Sequence, residues 1–144
     1  GYVTVSPDGL HWAEKKPWCW ENGEPLTLSS TQQRWLPHSD GLFLTYTRKD
    51  PTNLNVVRWR DPIFVSEVDP HKLCLIRSSE KIVFPLVGDG VNHPETVATI
   101  GNFHTTAISA RQSIVTTCEI FPGVYRGNTL QARIEWSRPN RGLL

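Results

Sequence analysis

Arginine side chains give the strongest chemical signal in this sequence. Ten of the fifteen basic residues are arginine, whose planar guanidinium holds a carboxylate at two points. Arg58 and Arg60 flank Trp59, so an extended backbone would point both guanidinium groups in the same direction. Arg34 and His38 bound the short run "RWLPH". We therefore predict that these four side chains bind an anionic small ligand, such as an acidic sugar.

Three further polar residues lie near strand ends. Asn102 and His104 share one face of "GNFHTT", where they would form part of a ligand rim. Glu119 lies near the end of "SIVTTCEI", where it would orient a tyrosine or an arginine. For every candidate, a purely structural role is the alternative to ligand binding. Such roles are solvated positions at a strand edge or turn, ion pairs between arginines and carboxylates, and ordinary hydrogen bonds of the histidines.

Composition argues against several classes of function. The net charge of +1 does not indicate a nucleic-acid or membrane partner, and no apolar run approaches membrane-spanning length. Cys19, Cys74 and Cys118 are far apart and odd in number, without a CxxC or Cys/His cluster. We expect buried free thiols, and no disulfide, metal or cofactor. Because the chain starts at Gly1 and lacks methionine, we expect a trimmed or partial sequence.

Strands rather than helices dominate the sequence. Eleven prolines and ten glycines separate short runs rich in β-branched and aromatic residues, which is typical of strands joined by turns. The predicted strands are 2–6, 11–15, 31–37, 41–48, 62–69, 72–78, 80–86, 101–109, 112–120 and 128–137. Short connections such as "PHSDG" favour hairpins. We predict an all-β fold with antiparallel sheets, for which propeller blades and a β-sandwich are both open.

The stretch "SPDGLHW" at positions 6 to 12 combines residues that build a tight turn. The Asp8 carboxylate can accept hydrogen bonds from the backbone of its own turn, and Gly9 can adopt a positive φ. Trp12 is expected to pack beneath the loop. We therefore predict a structural turn rather than a catalytic carboxylate or a calcium site.

This pattern resembles a short form of the Asp box, the hairpin signature of sialidase-type propellers. Long stretches, including "RWLPHSDGLFLTYTRKD", "NVVRWRDPIFVSEVD" and "KLCLIRSSEKIVFPLVGDGV", are similar to the C-terminal part of BNR-repeat, sialidase-like proteins. The resemblance covers essentially the whole chain. One departure is Asp61, which stands where the family pattern has alanine and would compete for Arg60.

The resemblance implies a six-bladed β-propeller of four-stranded antiparallel blades, of which this chain would supply about two. Residues 1–144 would form one all-β domain: 1–30 the end of one blade with the Asp-box hairpin and a linker, 31–86 one full blade, and 96–137 a three-stranded blade. An isolated arc would expose strand edges. We therefore expect either the remainder of a longer propeller chain or a homo-oligomer that completes the ring.

The implied activity is that of a sialidase-like glycoside hydrolase acting on terminal acidic sugars of glycans. Such enzymes use a tyrosine nucleophile assisted by a glutamate, which makes Tyr125 and Glu119 the catalytic candidates. The acid aspartate and the first arginine would come from early blades. A non-catalytic carbohydrate-binding propeller and an interaction scaffold are the alternatives. In the first two cases the expected partner is a glycan.

Overall fold

The computed structural model describes residues 1–124 and 126–143 as an all-β fold built from antiparallel sheets, none of which closes on itself. The strands are β1 Tyr2–Val3, β2 Lys16–Pro17, β3 Arg34–His38, β4 Gly41–Tyr46, β5 Ile63–Asp69, β6 Cys74–Leu75, β7 Lys81–Phe84, β8 Thr99–Ile100, β9 His104–Ser109, β10 Gln112–Ile120 and β11 Gly127–Glu135. Short 3₁₀ turns occur at Val57–Trp59, Arg77–Ser79, Pro94–Thr96 and Arg141–Leu143. No α-helix occurs in the two described ranges, so the predicted all-β class is confirmed, whereas the propeller arrangement stays a prediction.

The middle sheet is a meander of β3, β4 and β5 with a divided outer edge. β6 pairs with the end of β5 and β7 pairs with its beginning, so the two short strands share one position. The C-terminal sheet repeats this plan around β10. Its β11 neighbour pairs along nine residues, while β8 and β9 share the opposite edge.

Two apolar cores lie on opposite faces of the middle sheet. On one face, Leu44, Tyr46 and Phe64 pack with Trp18 and Trp20 of the N-terminal segment. All five side chains are buried, and burying a side chain of this size contributes roughly 1.5–3 kcal/mol. The aromatic residues of the N-terminal segment therefore cover this face of the middle sheet.

The second core joins the middle sheet to the C-terminal sheet. Ile63 and Phe84 contribute from the middle sheet, and Ile100, Phe103 and Val115 contribute from the C-terminal sheet. The alternation along β5 explains the arrangement, because neighbouring residues of one strand point to opposite faces. Each face of the middle sheet is thus covered.

The connections between strands lie at two opposite ends of the sheets, because antiparallel neighbours alternate in direction. The starts of β3 and β9 lie together, since the Gln32 side chain reaches the Phe103 carbonyl and Thr105 Oγ1 donates to the Trp35 carbonyl at 2.9 Å. The β4–β5 connection and the end of β10 lie at the same end, because antiparallel neighbours alternate in direction. We call this end, formed by residues 29–34, 53–62, 99–104 and 117–120, the arginine end.

The long loops 47–62 and 85–98 interlock, and the first of them contributes Arg58 and Arg60 to the arginine end. Asn55 N–H donates to the Gly90 carbonyl at 2.9 Å, and the Asn55 side chain reaches the Val91 carbonyl at 2.6 Å. A Cβ atom at Gly90 would collide with the Thr52 carbonyl oxygen. Only glycine permits this close approach of the two backbones.

The N-terminal hairpin contains the predicted turn but not the predicted strand 11–15. Asp8 Oδ1 accepts from Leu10 N–H and His11 N–H at 2.8 Å each, and Gly9 has a φ of +77°. The His11 side chain holds the pKa of the Asp8 carboxyl well below its ordinary value. Trp12 does not pack beneath the loop: it is 62% exposed.

Candidate anion-binding site

The loop that carries Arg58 and Arg60 is not extended, so the prediction that both side chains point the same way is wrong. Val57–Trp59 form a 3₁₀ turn, in which Trp59 N–H donates to the Val56 carbonyl at 3.0 Å. Arg58 and Trp59 have φ values of +57° and +45°, a conformation uncommon for residues other than glycine. This turn sends the two arginines toward different neighbours.

Arg58 is held against the segment that precedes β3. Its Nε donates to Ser30 Oγ at 3.2 Å and its Nη2 donates to the Ser30 carbonyl at 3.0 Å. The Ser29 hydroxyl donates in turn to the Arg58 carbonyl. These contacts leave the rest of an exposed guanidinium open to solvent.

Arg34 and Arg60 meet the residues just before β9. Arg34 Nε donates to the Phe103 carbonyl at 3.3 Å, and its Nη2 donates to Gln32 Oε1 at 3.3 Å. Arg60 Nη2 donates to Asn102 Oδ1 at 3.0 Å. The adjacent residues Asn102 and Phe103 therefore bring the two arginines to one side of the arginine end.

None of these three arginines forms an ion pair with a carboxylate in residues 1–124 and 126–143. The ion pairs offered as the structural alternative for Arg58 and Arg60 do not form there. Neutral serine, asparagine and backbone groups instead orient Arg34, Arg58 and Arg60. The arginine end thus carries positive charge that the neighbouring side chains do not compensate.

Asp61 lies next to Arg60 in the chain but does not pair with it. Its side chain is buried, with the residue only 3% exposed, and Oδ1 has no hydrogen-bond partner in the described part of the chain. Burial, assisted by the nearby Glu119 carboxylate, raises the pKa of Asp61 to about 7. The predicted competition between Asp61 and a ligand for Arg60 is therefore not observed.

Glu119, which was predicted to orient a tyrosine or an arginine, is hydrogen-bonded to an amide in the described part of the chain. Its Oε1 accepts from Asn128 Nδ2 at 2.7 Å across the β10–β11 pair. Tyr125, the second catalytic candidate, lies outside the described residues. Glu119 is half-buried and lies within electrostatic reach of Asp61. The arginine end therefore contains two carboxyl groups besides its arginines.

A tyrosine–glutamate pair exists elsewhere, but its burial gives it a structural role. Tyr46 donates to Glu80 Oε1 at 2.6 Å, and Arg48 donates to both oxygens of Glu80, at 2.8 and 2.7 Å. Asp50 completes the cluster with an ion pair to Arg48 at 2.9 Å. Tyr46 is fully buried, and this burial together with Glu80 raises the pKa of its hydroxyl strongly. The hydroxyl cannot reach an external substrate from this position.

The remaining candidates divide between the two ends. Asn102 and His104 are exposed on either side of buried Phe103, as expected for residues that share a face. No hydrogen bond joins His104 to the arginines in the described ranges. His38 lies at the opposite end, where its Nε2 contacts the Arg138 carbonyl at 3.1 Å.

Two contributors to the site, Ser30 and Gln32, carry no recognisable signal in the sequence. Ser30 contacts Arg58 across 28 positions, and Gln32 contacts Phe103 across 71 positions. The role of Ser30 arises when the β4–β5 loop folds against the segment before β3, and that of Gln32 when β3 and β9 come together. A short polar segment before a strand gives no indication of such distant partners.

Several other kinds of site are absent from the part of the chain that the structure describes. It contains no group of three or more His, Cys, Asp or Glu side chains suited to a metal ion. The cysteines are free, but only Cys74 is buried as expected, since Cys19 is half-buried and Cys118 is exposed. No helix in the described ranges is long and apolar enough to cross a membrane.

No protein-family model matches the chain, and no curated protein or solved structure matches it. The resemblance to sialidase-like proteins therefore remains a prediction from the sequence.

Proposed function

We propose that this chain is part of a sialidase-like propeller and that its arginine end binds the carboxylate of an acidic sugar. One observation carries the proposal: Arg34, Arg58 and Arg60 converge on one end without a carboxylate partner among the described residues. Guanidinium groups oriented by neutral donors and acceptors are ready to accept an anionic ligand without breaking an ion pair first.

The arrangement of the two larger sheets supports the propeller hypothesis. Both are antiparallel meanders, and β3 of the middle sheet lies beside β9 of the C-terminal sheet, where Thr105 Oγ1 donates to the Trp35 carbonyl. Wedges arranged about an axis bring their inner strands together in this way. A second copy, or further chain, would complete the ring and the ligand site.

Binding without hydrolysis by this chain alone is the second candidate. Of the two tyrosines that the structure describes, Tyr46 is sealed in the core and Tyr2 lies in β1. Asp61 is buried and Glu119 Oε1 is already bonded to Asn128. We infer that hydrolysis, if this protein performs it, requires groups beyond these, whereas carboxylate binding does not.

A titration with two matched ligands tests the proposal. The methyl glycoside of N-acetylneuraminic acid is compared with its neutral methyl ester by NMR or calorimetry. We expect the ester to bind at least about tenfold more weakly, because a charge-assisted hydrogen bond is worth about 1.5–3 kcal/mol. Equal affinities, or no binding of either sugar, would contradict the proposed function.

Substitutions then locate the site. Arg60→Gln and Arg34→Gln are expected to weaken binding of the acidic sugar by at least about tenfold. Arg133→Gln removes the same charge from the exposed strand β11 and serves as the control. Release of 4-methylumbelliferone from its sialoside distinguishes hydrolysis from binding alone. Equal effects of all three substitutions would indicate a nonspecific charge effect and would refute this location.

A further inference from the structure

A pocket lies between the middle sheet and the C-terminal sheet, at the opposite end of the strands from the arginine end. Its volume is about 350 Å³, within the range of roughly 300–1,000 Å³ that small-ligand pockets occupy. Its walls combine aromatic rings with charged groups: Phe43, Trp136 and His38, and Asp40, Glu67 and Arg138. Of these residues, only His38 is a predicted site residue.

Trp136 forms a fixed platform in this pocket. The indole Nε1–H donates to Ser113 Oγ at 3.0 Å, and the backbone N–H donates to the Arg111 carbonyl at 2.9 Å. Its ring lies 5.0 Å from the Phe43 ring and 4.7 Å from the His38 ring, measured between centroids. The platform is therefore oriented before any ligand arrives, which lowers the entropic cost of binding.

The turn beside Trp136 is equally well held. His38 Nδ1 accepts from Asp40 N–H at 3.1 Å, and its Nε2 donates to the Arg138 carbonyl at 3.1 Å. Asn140 bridges the two sheets, since its Oδ1 accepts from Ser39 N–H at 3.1 Å. The walls of the pocket thus come from both sheets and are tied to each other.

Two charged side chains in the pocket have unused hydrogen-bonding capacity. The Glu67 carboxylate and the Arg138 guanidinium both line it, yet neither forms a side-chain hydrogen bond or ion pair in residues 1–124 and 126–143. Asp40 differs, because it pairs with Arg141 at 2.7 Å. An unpaired acceptor and an unpaired donor therefore lie beside an aromatic ring.

We propose that this pocket binds a neutral pyranose ring. The C–H face of the sugar stacks on Trp136, and its hydroxyl groups donate to Glu67 and accept from Arg138. The charges of Asp40 and Glu67 are balanced by Arg141 and Arg138, so the pocket has no excess charge that would favour an ionic sugar over a neutral one. This inference does not depend on the acidic-sugar site at the arginine end.

The test uses ¹⁵N-labelled protein and the methyl pyranosides of glucose, galactose and mannose. The indole N–H signal of Trp136, assigned with Trp136→Phe, reports on the pocket. We expect at least one pyranoside to shift this signal saturably. Glu67→Gln should weaken that binding by at least about tenfold, because it removes a charged acceptor of hydroxyl hydrogen bonds.

Glu14→Gln is the matched control, since Glu14 lies exposed in the N-terminal hairpin and outside the pocket. The proposal is overturned if no pyranoside shifts the Trp136 signal up to its solubility limit, or if Glu67→Gln binds as tightly as the native chain. A shift by tetramethylammonium but by no pyranoside would also overturn it, because the pocket would then be a cation site. Arg60→Gln should leave pyranoside binding unchanged, which separates this outcome from failure of the acidic-sugar site.

Discussion

Two groups of arginines in this molecule have opposite surroundings. Arg48 lies in a largely buried cluster, bonded to both oxygens of Glu80 and to Asp50, with its guanidinium 4.3 Å from the centre of the Phe64 ring. Arg58 and Arg60 lie at the arginine end and contact only neutral partners in the described chain.

This difference distinguishes an arginine whose charge stabilises the fold from arginines whose charge is available to a ligand. A buried guanidinium requires carboxylates, because desolvation without them is costly. An exposed guanidinium does not, and orienting it through serine or asparagine leaves its charge uncompensated. Arg48 is therefore a structural residue, and Arg58 and Arg60 are candidates for binding.

The largest effect is expected when the Arg48 cluster loses its carboxylate. Glu80→Gln leaves the Arg48 charge in a largely buried position with only Asp50 to balance it. We expect the free energy of unfolding to fall by about 3–5 kcal/mol, measured by urea denaturation. The exposed Glu14→Gln should change stability little. A loss below about 1 kcal/mol would contradict the structural role of Arg48, because ion pairs on the protein surface contribute that little to stability.

Asp61, the buried acid beside Arg60, should make stability depend on pH. Its folded-state pKa of about 7 exceeds the ordinary value of 3.8, so folding favours the protonated form. The stabilisation it contributes is complete below about pH 4 and is lost as the pH rises through about 7, by about 4 kcal/mol at most.

Asp61→Asn should remove this dependence, because an amide keeps the shape of a protonated carboxyl and does not ionise. The check is the free energy of unfolding from pH 4 to pH 8 for both proteins. Parallel profiles would show that the carboxyl of Asp61 is not the titrating group.

Substituting Arg58 or Arg60, which form no ion pair in the described chain, should have much less effect on stability than breaking the Arg48 cluster. Arg58→Gln and Arg60→Gln are expected to change the free energy of unfolding by less than about 1 kcal/mol, because Arg58 is exposed and half-buried Arg60 has a buried Nε without a partner in the described chain. Arg60→Gln is nevertheless expected to weaken binding of an acidic sugar. A stability loss near that of Glu80→Gln would erase the distinction between the two groups.

The smallest expected effect is that of salt concentration, which should act differently on acidic-sugar binding and on the Arg48 cluster. Raising the ionic strength from about 0.05 M to about 0.5 M shortens the screening length severalfold and should weaken acidic-sugar binding by a few fold. The stability difference between native protein and Glu80→Gln should change less, since that cluster is shielded from solvent. Equal salt sensitivity of both quantities would contradict this assignment.

The strands were largely predictable, because alternating apolar residues mark them directly. The prediction for 112–120 agrees with β10 at both ends, and 62–69 differs from β5 by one residue. The predicted strand 72–78 failed in part, since only Cys74–Leu75 pair before a 3₁₀ turn begins. A run of apolar residues signals burial more reliably than it signals strand pairing.

The site was less predictable than the strands. Arg34, Arg60 and Asn102 were chosen because they lie near strand ends, and strand order brings these ends together. Their role in binding stays a prediction. The directions of Arg58 and Arg60 were not predictable, since they depend on two left-handed residues in a loop without glycine. The Tyr46–Glu80 bond joins positions 34 residues apart, which no local pattern indicates.

The collision that any side chain at Gly90 would have with Thr52 has a consequence for how this chain can vary. Since loops 47–62 and 85–98 touch backbone to backbone, neither can gain or lose residues near the contact independently of the other. Related chains should therefore change the lengths of these two loops in concert. Swapping one loop alone between such chains should disturb the orientation of Arg58 and Arg60, whereas exchanging both together should preserve it.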